Sequence, residues 1–152
     1  MWDIFYYIFL KAVLNWPDSL LTWDILFLIP VPWVGPVIAP CLVSLTMILL
    51  TLIIIFAAEK ENHVQISWVQ WLLLISGGIV LVFSFMWDYL QYVHGTGREM
   101  WTPMSQEEMF YEISHYVPES FNWFLFSGGE ILLLAAVFSV YRSVRLTQKS
   151  SF

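Results

Sequence analysis

The chain has 152 residues, of which 59% are apolar and 12% charged, against roughly 25% charged in a typical soluble domain. Six Lys and Arg face 12 Asp and Glu, which argues against a nucleic-acid partner, and a single cysteine, Cys41, excludes a disulfide scaffold. Mean hydropathy is +0.72 and 18% of the residues are aromatic, so neither a disordered chain nor an ordinary soluble globule fits. The composition is that of an integral membrane protein, and the expected fold class is all-α.

The chain opens with two apolar pieces that are each too short to span. Trp2 to Leu14 is interrupted only by Asp3 and Lys11, and Trp16-Pro17-Asp18-Ser19 then breaks the run. Leu20 to Ile29 is apolar apart from Thr22 and Asp24. Pro30, Pro32 and Pro36 remove backbone donors and disfavour helix before them, which predicts an elbow. Residues 1–36 are thus expected to form two short interfacial or re-entrant helices and a Pro-rich elbow. The alternative joins the two pieces into one bent fourth span. Asp3 and the missing basic leader make a secretory signal peptide a poor match.

Three stretches reach the roughly 20 apolar residues that a transmembrane helix needs. They are Val37–Ala58, Trp68–Trp87 and Phe121–Tyr141. The third carries Glu130. An acid at mid-helix costs about 3 kcal/mol, but eleven Leu, Ile, Phe and Val residues at about 0.3 to 0.6 kcal/mol each outweigh it. Arg142, Arg145 and Lys149 make the tail, residues 142–152, basic, whereas loop 88–120 holds six acids and only Arg98. The positive-inside rule therefore puts the tail in the cytoplasm and the long loop outside, in a bacterial inner membrane by default. Trp68 and Trp87 sit at the two ends of the second span as interface anchors.

Spans two and three share a pattern, Ser76-Gly77-Gly78 and Ser127-Gly128-Gly129. Paired glycines let membrane helices approach closely, so these sites are expected to pack against each other. The other use of such a gap is a slot for a quinone ring, a haem edge or a lipid tail. Glu130 follows the second pair directly. It would carry protons, bind an ion or hold a quinone head group, or else form a hydrogen bond to Ser76, Ser84 or a partner subunit.

In the outer loop, Ser105-Gln106-Glu107-Glu108 fits a capping box for an amphipathic helix ending near Tyr116. Its wet face would offer Glu108, Glu112 and His115. Glu112-Ile-Ser-His115 is a single Glu-x-x-His, a pattern that di-iron bundles use in pairs. Asp88 and His94 could complete a metal site, and a solvated acidic face touching a partner is the competing reading. Gly95 suits a left-handed turn after the second span. No phosphate loop, nucleophile elbow, His-Glu-x-x-His or covalent-haem motif is present.

These features lead to an expectation of a small accessory subunit of a larger membrane complex, respiratory or energy-converting, with other membrane subunits and lipid as its partners. A metal- or quinone-dependent redox subunit and an oligomeric proton or ion pathway around Glu130 remain as alternatives. No cofactor is required by the sequence.

Overall fold

A computed structural model describes residues 2–28, 31–59, 65–95, 118 and 120–150, with side chains to 145 in the last stretch. In chain order the elements are α1 (Trp2–Leu14), β1 (Trp23–Phe27), β2 (Trp33–Pro36), α2 (Ile38–Glu59), α3 (Trp68–Gly95) and α4 (Trp123–Ser150). By length and composition three of the helices can cross a membrane: Ile38–Glu59, Trp68–Gly95 and Trp123–Arg145. Only 22 to 33% of each apolar stretch is buried within the chain, so most of this surface must meet lipid or other chains.

The N-terminal piece is helical, as its composition predicts. Helix α1 stops where Asn15 takes a left-handed conformation at φ 53°, a residue type that tolerates it, just ahead of a cis Trp16–Pro17 bond. Lys11 Nζ donates to the carbonyls of Asn15 and Pro17 at 3.4 and 2.9 Å, supplying a cation and a donor at the helix's C-terminal end.

The second piece departs from expectation. Leu20 to Leu28 does not form a helix, and no bent fourth span exists among the described residues. Trp23–Phe27 is a strand paired antiparallel with Trp33–Pro36, in the register Trp23↔Pro36, Asp24↔Gly35, Ile25↔Val34 and Phe27↔Trp33. Aromatic and β-branched residues suit a pleated strand, and Pro36 is tolerated because this two-stranded sheet has only edge strands. The Pro-rich stretch therefore supplies the second strand of a hairpin. Val37 N and Ile38 N donate to the carbonyls of Thr22 and Leu20, which fastens the hairpin to the start of α2.

Helices α3 and α4 pack side by side along most of their length, running antiparallel. A Cβ added at Gly77 would lie 3.1 Å from the Gly129 carbonyl oxygen and 3.0 Å from Leu133, and one at Gly129 would lie 2.8 Å from Leu81. One glycine of each pair thus forms the close approach. Gly78 and Gly128 point elsewhere, with nothing within 4 Å of the added atom. At the far end, Ser67 and Gln70 form a capping box: Gln70 Oε1 accepts from Ser67 N at 2.8 Å, and Ser67 Oγ accepts from Gln70 N. Gln70 Nε2 then donates to Ser139 and Ser143 on α4 at 3.1 and 3.0 Å, so this 2%-exposed amide is fully engaged.

Helix α2 lies parallel to α4, with Leu50 packed near Val137 and Val140. The backbones of α2 and α3 do not approach each other; both lean on α4. The hairpin covers the end where α2 begins. There Val34 is buried against Tyr89 and Val93, and Gly35 lies close under Phe85 and Phe121. This contact explains why α3 runs two turns past Trp87. Gly95 accordingly stays helical and does not take the expected left-handed turn.

Gly129→Ala should lower the thermal unfolding temperature in detergent, at a cost of about 1 to 3 kcal/mol, because the new methyl group meets the Leu81 backbone nitrogen as well as its side chain. Gly128→Ala, whose added methyl group would meet nothing within 4 Å, should leave it unchanged or raise it slightly. Equal effects at the two positions would refute the assignment of the close approach to Gly129.

Candidate functional site

Four polar side chains of the first half, Asp3, Tyr7, Asp24 and Ser44, converge on the hairpin end. Asp3 and Tyr7 are four residues apart and so share one face of α1. Ser44 Oγ donates to Asp3 Oδ2 at 2.8 Å, and Tyr7 OH donates to Asp24 Oδ2 at 2.8 Å. Asp24 Oδ1 also accepts from Ile25 N at 2.9 Å. These bonds tie α1 to α2 and to β1. Burial, then the hydrogen bond to Asp24, push the Tyr7 phenol well above its ordinary pKa.

Between the splayed helices α2 and α3 lies a cleft of about 950 Å³. Pro40, Val43, Ser44, Met47 and Leu50 line one wall, and α3 lines the other from Trp71 to Phe85. Leu133 of α4 contributes to the back, the hairpin contributes Leu26, Phe27 and Trp33, and α1 flanks the end with Trp2, Asp3, Tyr6 and Tyr7. Gly78 opens directly onto this space. Its volume falls at the upper end of the range for small-molecule sites.

Glu130 sits seven residues into α4, about 10 Å from its start. Its Oε1 accepts a hydrogen bond from Thr46 Oγ1 of α2. Ser76 and Ser84, the partners expected from sequence, bond instead to the carbonyls of Leu73 and Leu81 in their own helix. The reason is angular: Glu130 follows the glycine that faces α3, so it is turned about 100° away, toward α2. Glu130 Oε2 is closed off and has no hydrogen-bond partner among the described residues.

The expected outer cluster divides. Glu108, Glu112 and His115, with the capping box before them, lie outside the described residues. Asp88 is buried and its Oδ1 accepts from Ser120 N at 3.1 Å, tying α3 to the approach to α4. His94 is exposed, separated from Asp88 by about 120° around the helix axis. Among the described residues no group of three or more His, Cys, Asp or Glu is placed to hold a metal ion. Ser127 is exposed.

Sequence reasoning missed Asp3, Tyr7, Asp24, Ser44 and Thr46. The first two were discoverable as an i, i+4 pair, and the last two as the polar interruptions early in α2. What joins them is visible only in three dimensions. No protein-family model, curated protein or solved structure matches this chain, so its functional reading rests on geometry.

The Tyr7 shift has a defined pH consequence. Its folded pKa lies above the ordinary 10.0, so its contribution to stability is whole below pH 10 and is lost as pH rises beyond it. Above pH 10 the loss approaches about tenfold in the folding equilibrium per pH unit. Tyr7→Phe should remove this alkaline sensitivity relative to wild type when thermal unfolding is followed from pH 8 to 11. An unaltered pH profile in Tyr7→Phe would contradict the assignment.

Proposed function

We propose that the chain is a small accessory subunit of a larger membrane assembly, with a structural rather than a catalytic task. One observation carries this reading: the polar side chains within and beside the spans serve as struts between elements. Asp3 holds Ser44, Asp24 holds Tyr7, Glu130 holds Thr46, Gln70 holds Ser139 and Ser143, and Asp88 holds the backbone of Ser120. Groups fixed in this way make a stiff body and are poorly placed to shuttle protons. The apolar, aromatic-rich outer faces, with Trp2, Phe5, Phe9, Trp68, Phe124 and Phe138 exposed, suit packing against neighbouring subunits. An intramembrane acid beside such faces favours an energy-converting assembly, and the basic tail favours a cytoplasmic C-terminus in a bacterial inner membrane.

The closed-off Oε2 of Glu130 favours one second reading, a proton or ion pathway formed by several copies. Extraction of the native membrane in mild detergent tests the first. The protein should migrate with other subunits, and recovery only as a stable 17.8 kDa species would refute the accessory role. For the second, Glu130→Gln should abolish proton flux in reconstituted vesicles. Equal flux in wild type and variant removes that pathway.

A further inference from the structure

The cleft between α2 and α3 is polarised along its length. The lining side chains of α3 are apolar from Trp71 through Leu74, Ile75, Leu81 and Val82 to Phe85, about 21 Å along the axis. That is longer than one leaflet of a roughly 30 Å hydrocarbon core. The polar atoms gather at the hairpin end, where Asp3, Tyr7, Asp24 and Ser44 line the wall. Among the described residues, both charged lining residues are acids and none is Lys, Arg or His. A carboxylate accepts at about four sites; the hydrogen bonds described occupy one at Asp3 and two at Asp24.

Helices α2 and α3 are long and apolar enough to cross a membrane and their backbones stay apart, so in a bilayer lipid would be the prevailing occupant of the cleft between them. Gly78 supports the same view from a different direction. Its neighbour Gly77 is required by the contact with α4, but a side chain at Gly78 would meet nothing within 4 Å. Helix packing does not call for a glycine there, and any larger residue would project into the cleft.

We propose that this cleft is a binding site for a membrane lipid with an ammonium head group. Its apolar tail lies along α3 between Phe85 and Trp71, and its head donates hydrogen bonds to Asp3 and Asp24. The charge pattern selects the head: an ammonium group meets two carboxylates, whereas an anionic head would meet the same two acids with no cation among the described lining residues. The lipid also fills a volume that the three helices leave open where the backbones of α2 and α3 stay apart.

The test uses the full chain in mild detergent, with native mass spectrometry to count retained lipid. Phosphatidylethanolamine and phosphatidylglycerol with identical acyl chains serve as probes. Wild type should retain phosphatidylethanolamine about tenfold better, the value of one charge-assisted hydrogen bond. Gly78→Leu should lose that retention while its thermal unfolding stays as in wild type. Asp3→Asn with Asp24→Asn should retain both lipids equally, and because these acids also anchor α1, the Gly78→Leu result stands as a separate arm. Equal retention of the two lipids by wild type would overturn the proposal. So would undiminished retention by Gly78→Leu, or a dimer that Gly78→Leu disrupts and that holds no lipid.

Discussion

The architecture depends on the close approach of α3 and α4 at Gly77 and Gly129. In lipid, helices gain little from burying apolar side chains against one another, because the solvent is equally apolar. Association then rests on dispersion at short range and on hydrogen bonds, and both need backbones that can come near. With no Cβ at these two positions, α4 is held along α3, and Gln70 fixes the far end through Ser139 and Ser143. Helix α2 has no comparable seam with α3. It reaches α4 through Leu50 and through the Thr46–Glu130 bond, so α4 forms a spine with a helix on either side. The cleft follows from this arrangement.

The hairpin solves a different problem. Prolines at 30, 32 and 36 rule out a helix leading directly into α2, and irregular backbone near a membrane must find partners for its polar groups. Pairing β1 with β2 satisfies part of them, and the bonds from Val37 and Ile38 satisfy more. The remaining stability comes from side chains. Val34 is fully buried against Tyr89 and Val93, and Phe85, Phe121, Trp123 and Phe126 form an aromatic cluster with ring centroids 4.9 to 6.0 Å apart beneath Gly35. These are the tilted and edge-on geometries that aromatic quadrupoles prefer.

Glu130 shows how a residue type can be legible while its partner is not. An acid in an apolar stretch must face protein, and that much is read from composition. Which helix it faces depends on which glycine takes the seam. With Gly129 against α3, the next residue is rotated toward α2, and Thr46 becomes its partner. Ser44, two residues earlier, points to α1 and holds Asp3. Two hydroxyls that look interchangeable in sequence thus join α2 to different elements, because successive residues on a helix are turned about 100° apart.

Sequence alone determined the three apolar helices, the helical start, the acid among apolar residues and the glycine pairs, since each is a local property of composition or 3.6-residue spacing. Tertiary structure decided the rest. Residues 23–27 and 33–36 became a hairpin because an extended pair could satisfy its backbone and bury Val34 on α3, a gain that no local propensity records. Only one glycine of each pair entered the seam, because two cylinders touch along a single line. The cleft is lined by residues from Trp2 to Leu133, and its acidic end joins Asp3 to Ser44, 41 residues on in the chain; such meetings are set by packing and not by any neighbouring residue.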